Sequence, residues 1–208
     1  MSKDIRVRLT FLEESLGTAS NDKDIHAEFI ASKAPDAPNR NEKIAEEIES
    51  IGVDEVVGKS MTVFPRDKDG NPIFYDYQIK GFFKDACSAL QRCKGEDIAK
   101  ESCAMKAYKK IIDGCIFPEP RQIKIDMHGG EMGICQRPLR AQTAQGERVA
   151  LASSETVPAG STIEFTVVCL SDKYEAAVIE WLNYGRFKGL SQWRNSGKGR
   201  FTYEILND

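Results

Sequence analysis

Histidine is scarce in this chain of 208 residues: only His26 and His128 occur. Any chemistry that needs an imidazole is therefore confined to two positions. No G-x-S-x-G, Walker-type or zinc-protease pattern is present, which removes the commonest nucleophile-elbow, phosphate-loop and zinc-hydrolase readings. No C-x-x-C pair occurs either. The six cysteines stand at 87, 93, 103, 115, 135 and 169. Cys115, His128 and Cys135 lack the ligand spacing of a zinc site, so reduced thiols are expected, with no metal and no cofactor. No apolar run approaches the ~18 residues of a membrane span. The start M-S-K-D-I-R-V-R-L has no apolar signal core. A cytoplasmic protein with no membrane partner is the expectation. Repeats, low-complexity tracts and linkers are also missing, and the length suits one large domain.

What is present is a polarised charge. The formal net charge is -3, yet residues 12–55 hold twelve acids and four bases. In contrast, W-L-N-Y-G-R-F-K-G-L-S-Q-W-R-N-S-G-K-G-R-F-T-Y, from Trp181 to Tyr203, holds five cations and no carboxylate. Its cations are Arg186, Lys188, Arg194, Lys198 and Arg200, and glycines fall at 185, 189, 197 and 199. Glycine permits close backbone approach, cations supply counter-charge, and an exposed ring such as Trp193 offers a stacking surface. Together these suit a phosphate backbone with unstacked bases. A solvated basic hairpin, with Trp193 in the core, is the alternative reading of the same residues.

Periodicity places the elements. Ile5, Val7, Leu9 and Phe11 alternate with Arg6, Arg8 and Thr10, which predicts a half-buried strand over 4–12. An acidic helical insertion is expected over 19–58, with one helix capped by Asn21 or Asp22 and a second over 41–51. D-K-D-G-N predicts a hairpin turn between strands 61–64 and 72–75. Residues 77–90 read as a helix with Ile79, Phe82, Phe83, Ala86 and Leu90 inward. A lysine and a glycine, Lys80 and Gly81, sit in its first turns, where a helix N-terminus can hold a phosphate. Close packing on the sheet would explain Gly81 equally well. A helix over 97–112, with Ile98, Met105, Tyr108 and Ile112 toward the core, is followed by a strand over 121–127. The poorly periodic stretch 128–147, with Arg137 and Arg140 around Pro138, predicts an extended loop or finger. Strands 148–151 and 161–170 are expected to pair with each other across S-S-E-T-V-P-A-G, read as the turn. A helix over 172–184 and a strand over 200–206 close the chain. With the insertions removed the order is β-α-β-β-α-β, an α+β ferredoxin-like antiparallel sheet with helical and loop insertions.

In this order the motifs resemble the RAMP superfamily, the RNA-binding proteins of CRISPR effector complexes, and above all their repeated backbone subunits. N-P-I-F-Y-D-Y-Q-I-K-G-F-F-K-D-A resembles the family's strand, loop and S-x-K-G-x-x-R-type helix start, and places Lys80, Gly81 and Lys84. E-T-V-P-A-G-S-T-I-E-F-T-V-V resembles the entry to its third core strand. G-L-S-Q-W-R-N-S-G-K-G-R-F resembles the glycine-rich loop G-h-G-x5-G-h-G, with Arg194 inside the x5 run. Serine stands at 191 where that pattern has glycine, and Lys198 where it has a hydrophobic residue.

The resemblance implies a protein of antiviral defence that cradles single-stranded RNA. Its nucleic-acid contacts would be Lys80, Arg137, Arg140, Lys188, Trp193, Arg194, Lys198 and Arg200, from a loop lying against the sheet's open side. Its partners would be RNA or single-stranded nucleic acid, copies of itself, or other CRISPR-type subunits. Some relatives are metal-independent endoribonucleases with a catalytic histidine, for which His26 or His128 would serve; Asp22, Asp24 and Glu28 around His26 would repel a phosphate. A third reading is a protein-interaction module whose acidic lobe imitates nucleic acid and interferes with a CRISPR-type complex.

Overall fold

The computed structural model describes residues 2–20, 61–143 and 146–206. The expected acidic helices and His26 lie outside the described residues. The main sheet is built from β1 (Lys3–Phe11), β5 (Ile73–Tyr75), β6 (Ile116–Glu119), β7 (Gln122–Asp126), β10 (Thr162–Cys169) and β11 (Phe201–Ile205). Its order is β11-β1-β10-β7-β5, with β6 also on β10. Helices α1 (Asp76–Leu90) and α4 (Glu175–Lys188) link the core strands, and between α1 and β6 lie the short helices α2 (Lys100–Ala104) and α3 (Tyr108–Cys115). Taken as β1, α1, β6 with β7, β10, α4 and β11, this is the ferredoxin-like β-α-β-β-α-β arrangement, with neighbours antiparallel.

Alternation decides which face is dry. Ile5, Val7, Leu9 and Phe11 of β1 share one core with Ile163, Phe165 and Val167 of β10, and with Ile79, Phe82, Phe83 and Ala86 of α1. α4 adds Ala177, Val178, Trp181 and Leu182. The indole of Trp181 is fully buried, stands 5.4 Å from the Phe83 ring, and donates through Nε1 to Ser102 Oγ at 3.0 Å. One residue earlier, the Glu180 carboxylate accepts the N–H groups of Glu101 and Ser102, at 2.8 and 2.9 Å, and so caps α2.

Four expectations are corrected. The helix over 97–112 is broken: a 3-10 turn (Asp97–Ala99) and α2 end before Ala107, which takes φ 53°, and α3 starts after it. Ile98, expected in the core, is 54% exposed as a result. The turn at D-K-D-G-N forms, held by the Asp67 carboxylate on the N–H groups of Asp69 and Asn71. Its flanks diverge, however, because β4 (Met61–Val63) joins a second sheet while β5 stays in the first. Strand 148–151 does not pair with 161–170. It belongs to β9 (Gly146–Val157), which pairs along its length with β8 (Gly133–Thr143), so the expected finger is a long β-hairpin. The S-S-E-T run that read as a turn is strand because β4 and β2 (Ser15–Leu16) pair there with β9, burying Ser154 and Thr156. Finally, β6 was hidden by Pro118. A proline fits because β6 pairs only with β10 among the described residues, leaving its other edge without a donor requirement.

Candidate nucleic-acid interface

Residues 189–200 join α4 to β11 as a folded loop. Leu190 N–H donates to Gly199 O at 2.8 Å and closes its base. Gly199 N–H donates to Glu14 O at 2.9 Å, and Leu12 N–H to Arg200 O at 2.7 Å, which ties the loop to the segment after β1. It does not lie on the open side of the main sheet as expected. These bonds draw it to the sheet's end, between α1 and the second sheet. Ser191 takes φ 75°, the left-handed region that favours glycine, and its hydroxyl donates to Leu16 O. Gln192 anchors the next step: its amide nitrogen donates to Thr62 Oγ1 at 2.7 Å and Ser154 Oγ at 3.1 Å.

Three of the loop's cations meet carboxylates within the chain. Arg194 Nη1 lies 2.6 Å from Asp85 Oδ2 on α1, Lys198 pairs with Glu14, and Arg200 Nη2 lies 2.9 Å from Glu13 Oε1. All three pairs are partly exposed and therefore weak and exchangeable. Lys188 donates to Asn195 Oδ1 at 2.9 Å. Arg194, Ser191 and Leu190 face Tyr77, Gln78 and Gly81 of α1 across a groove of about 340 Å³, within the range of nucleotide-sized pockets. A Cβ on Gly81 would meet nothing within 4 Å, so Gly81 opens this groove rather than packing α1 on the sheet. Lys80 is not brought to it. It lies in a separate depression with Phe117 and Arg121, its Nζ 4.2 Å from the centre of the Phe117 ring and donating to Asp113 O at 3.2 Å. Burial pushes its ammonium pKa down, and the nearby Asp113 and Asp76 act the other way.

Arg137 and Trp193 form the densest feature. Arg137 projects from β8 beneath the loop, with Cζ 4.2 Å from the centre of the Trp193 indole and Nη2 donating to Gln192 Oε1 at 3.3 Å. It is only 9% exposed, and its Nε and Nη1 have no hydrogen-bond partner. Burying a charge without an ion partner costs several kcal/mol, and a cation–π contact returns about 0.5–2 kcal/mol. Trp193 itself is 38% exposed, at φ 58°. Arg140 lies on the same strand, but its side chain lies outside the described part of the structure.

His128 sits away from the loop, on the helix-free face. Its Nε2 is 3.0 Å from Thr162 Oγ1 and its Nδ1 3.5 Å from Asp126 Oδ2, partners that the sequence did not identify. Nearby, Arg8 is held by Glu164 at 2.7 Å and by Glu204 at 3.6 Å. Along that face Arg6, Arg8, Thr10, Lys124, Thr162 and Glu164 alternate with the buried Ile5, Val7, Leu9, Ile125, Ile163 and Phe165. No group of three or more histidine, cysteine or acidic side chains able to hold a metal occurs among the described residues. Nor is any described helix long and apolar enough to cross a membrane.

The sequence reading missed Gln192, Glu13, Glu14 and Asp85. A charge run read along the chain shows its cations but not the acids that folding brings to them.

Fold and loop define an α+β protein with a ferredoxin-like sheet, a long β-hairpin and a glycine-rich loop between them. A chain of a Type III-B Cmr-beta complex bound to cognate target RNA is structurally similar: it matches 99% of this chain at 12% identity, with a TM-score of 0.49. This chain spans 59% of that one's length. No protein-family model and no curated protein matches.

Proposed function

We propose that this protein binds single-stranded RNA as a non-catalytic subunit of RAMP type, at the edge where the glycine-rich loop, α1 and the β8–β9 hairpin meet. Its setting is a CRISPR-type ribonucleoprotein in the cytoplasm, with other subunits or copies of itself as partners. The observation that carries this reading is Trp193: a ring partly open to solvent, held on a left-handed residue and backed by a guanidinium. Exposed indoles beside cations are what sequence-tolerant base stacking requires. The groove lined by Gly81 and Arg194 gives the backbone a path, and Arg194 has only to exchange Asp85 for a phosphate. On the helix-free face Arg6 and Arg8 are engaged by Glu164 and Glu204, and among the described residues no aromatic ring stands beside His128 to stack a base, so binding without cleavage is the reading.

The test is fluorescence anisotropy with a labelled 15-nucleotide uridine RNA across a salt series. Each phosphate contact should steepen the salt dependence by about 0.7 in logarithmic slope. Trp193→Ala should weaken binding by about 1–3 kcal/mol. Absence of binding, or binding indifferent both to salt and to Trp193, would overturn the proposal.

A further inference from the structure

We infer that the Arg137–Trp193 stack is the closed form of a nucleotide clamp, in which Arg137 leaves the indole to take an RNA phosphate and a base takes its place on the ring. The inference rests on the RNA-binding reading of this loop and adds to it the mobile contact.

The argument starts from what the free protein leaves unsatisfied. Arg137 is held under the loop by one bond to Gln192, while Nε and Nη1 face no acceptor. Carboxylates stand near the other cations of the loop, through Asp85, Glu13 and Glu14, but none pairs with this one. Once released from Gln192, Nη2 together with the idle Nε or the idle Nη1 forms a fixed fork that matches two oxygens of one phosphate. Once Arg137 has turned out, the indole face it occupied is the right size and polarity for a base. Gln192 keeps the loop anchored meanwhile, because its other bonds run to Thr62 and Ser154 rather than to Arg137.

A residue kept for this purpose lowers stability in the free protein, so substitution should move stability and binding in opposite directions. Arg137→Met retains most of the volume and removes the charge. It should raise the Tm of the full chain and weaken binding of the 15-nucleotide uridine RNA about tenfold or more. Trp193 emission offers a second readout, since Trp181 is fully buried and acts as a constant background. In the wild type the uridine RNA should quench Trp193 more than inorganic phosphate does at equal phosphate concentration. In Arg137→Met that difference should shrink. If the wild type binds RNA but Arg137→Met binds equally well, or loses stability as a packing residue would, the clamp is wrong and the RNA-binding reading stands. If the wild type binds no RNA, both fall.

Discussion

Trp181→Ala is expected to cost about 3–5 kcal/mol, the range for emptying a buried aromatic site. The indole is the largest fully buried side chain and sits where α4, α1 and α2 converge. Its loss also strands Ser102 Oγ, a buried hydroxyl that receives the indole N–H, so a cavity and a lost hydrogen bond add together. Domains of this size are stable by about 5–15 kcal/mol, so the variant should unfold at far lower denaturant. Urea titration followed by circular dichroism measures the shift. A loss below about 1 kcal/mol would mean that the helices do not close over this residue.

Gly199→Ala should be the most damaging single-methyl change in the loop. Gly199 takes φ 69°, and a Cβ there would overlap the carbonyl oxygen of Leu190, whose N–H bonds Gly199 in return. Left-handed strain of about 1–2 kcal/mol joins an overpacking cost of about 1–3 kcal/mol. The loop can escape only by breaking its base, which would carry Gln192 and Trp193 away from the second sheet. We therefore expect RNA binding to fall at least as far as in Trp193→Ala, with a larger fall in Tm than Trp193→Ala produces. Unchanged stability and affinity would show that the loop's shape does not depend on this pinch.

The core of the fold was legible because it repeats. Alternation over Ile5, Val7, Leu9 and Phe11, and the inward face Ile79, Phe82, Phe83, Ala86 and Leu90, follow from periods of two and 3.6. The hairpin was not, because β9 carries Ser153, Ser154 and Glu155 where it is paired on both edges, and polar strand residues look like turn residues until their partners are known. Buried Ser154 is tolerable only because Thr62 and Gln192 bond it, and both are remote in sequence. The site was half legible for the same reason. The cations and glycines of the loop lie together in the chain, whereas Asp85, Glu13 and Glu14, which neutralise three of them, come from elsewhere. Serine at 191 shows the reverse case: a departure from the glycine pattern that the backbone nevertheless accommodates at φ 75°.

The most direct test is photo-cross-linking of the intact protein to 4-thiouridine-substituted single-stranded RNA, with the attached residues mapped by mass spectrometry. Cross-links on residues 189–200, centred on Trp193, and on the facing part of β8 around Arg137 are the predicted result. Cross-links confined to the helix-free face, on β1 and β7 around Arg8 and Lys124, would contradict the account.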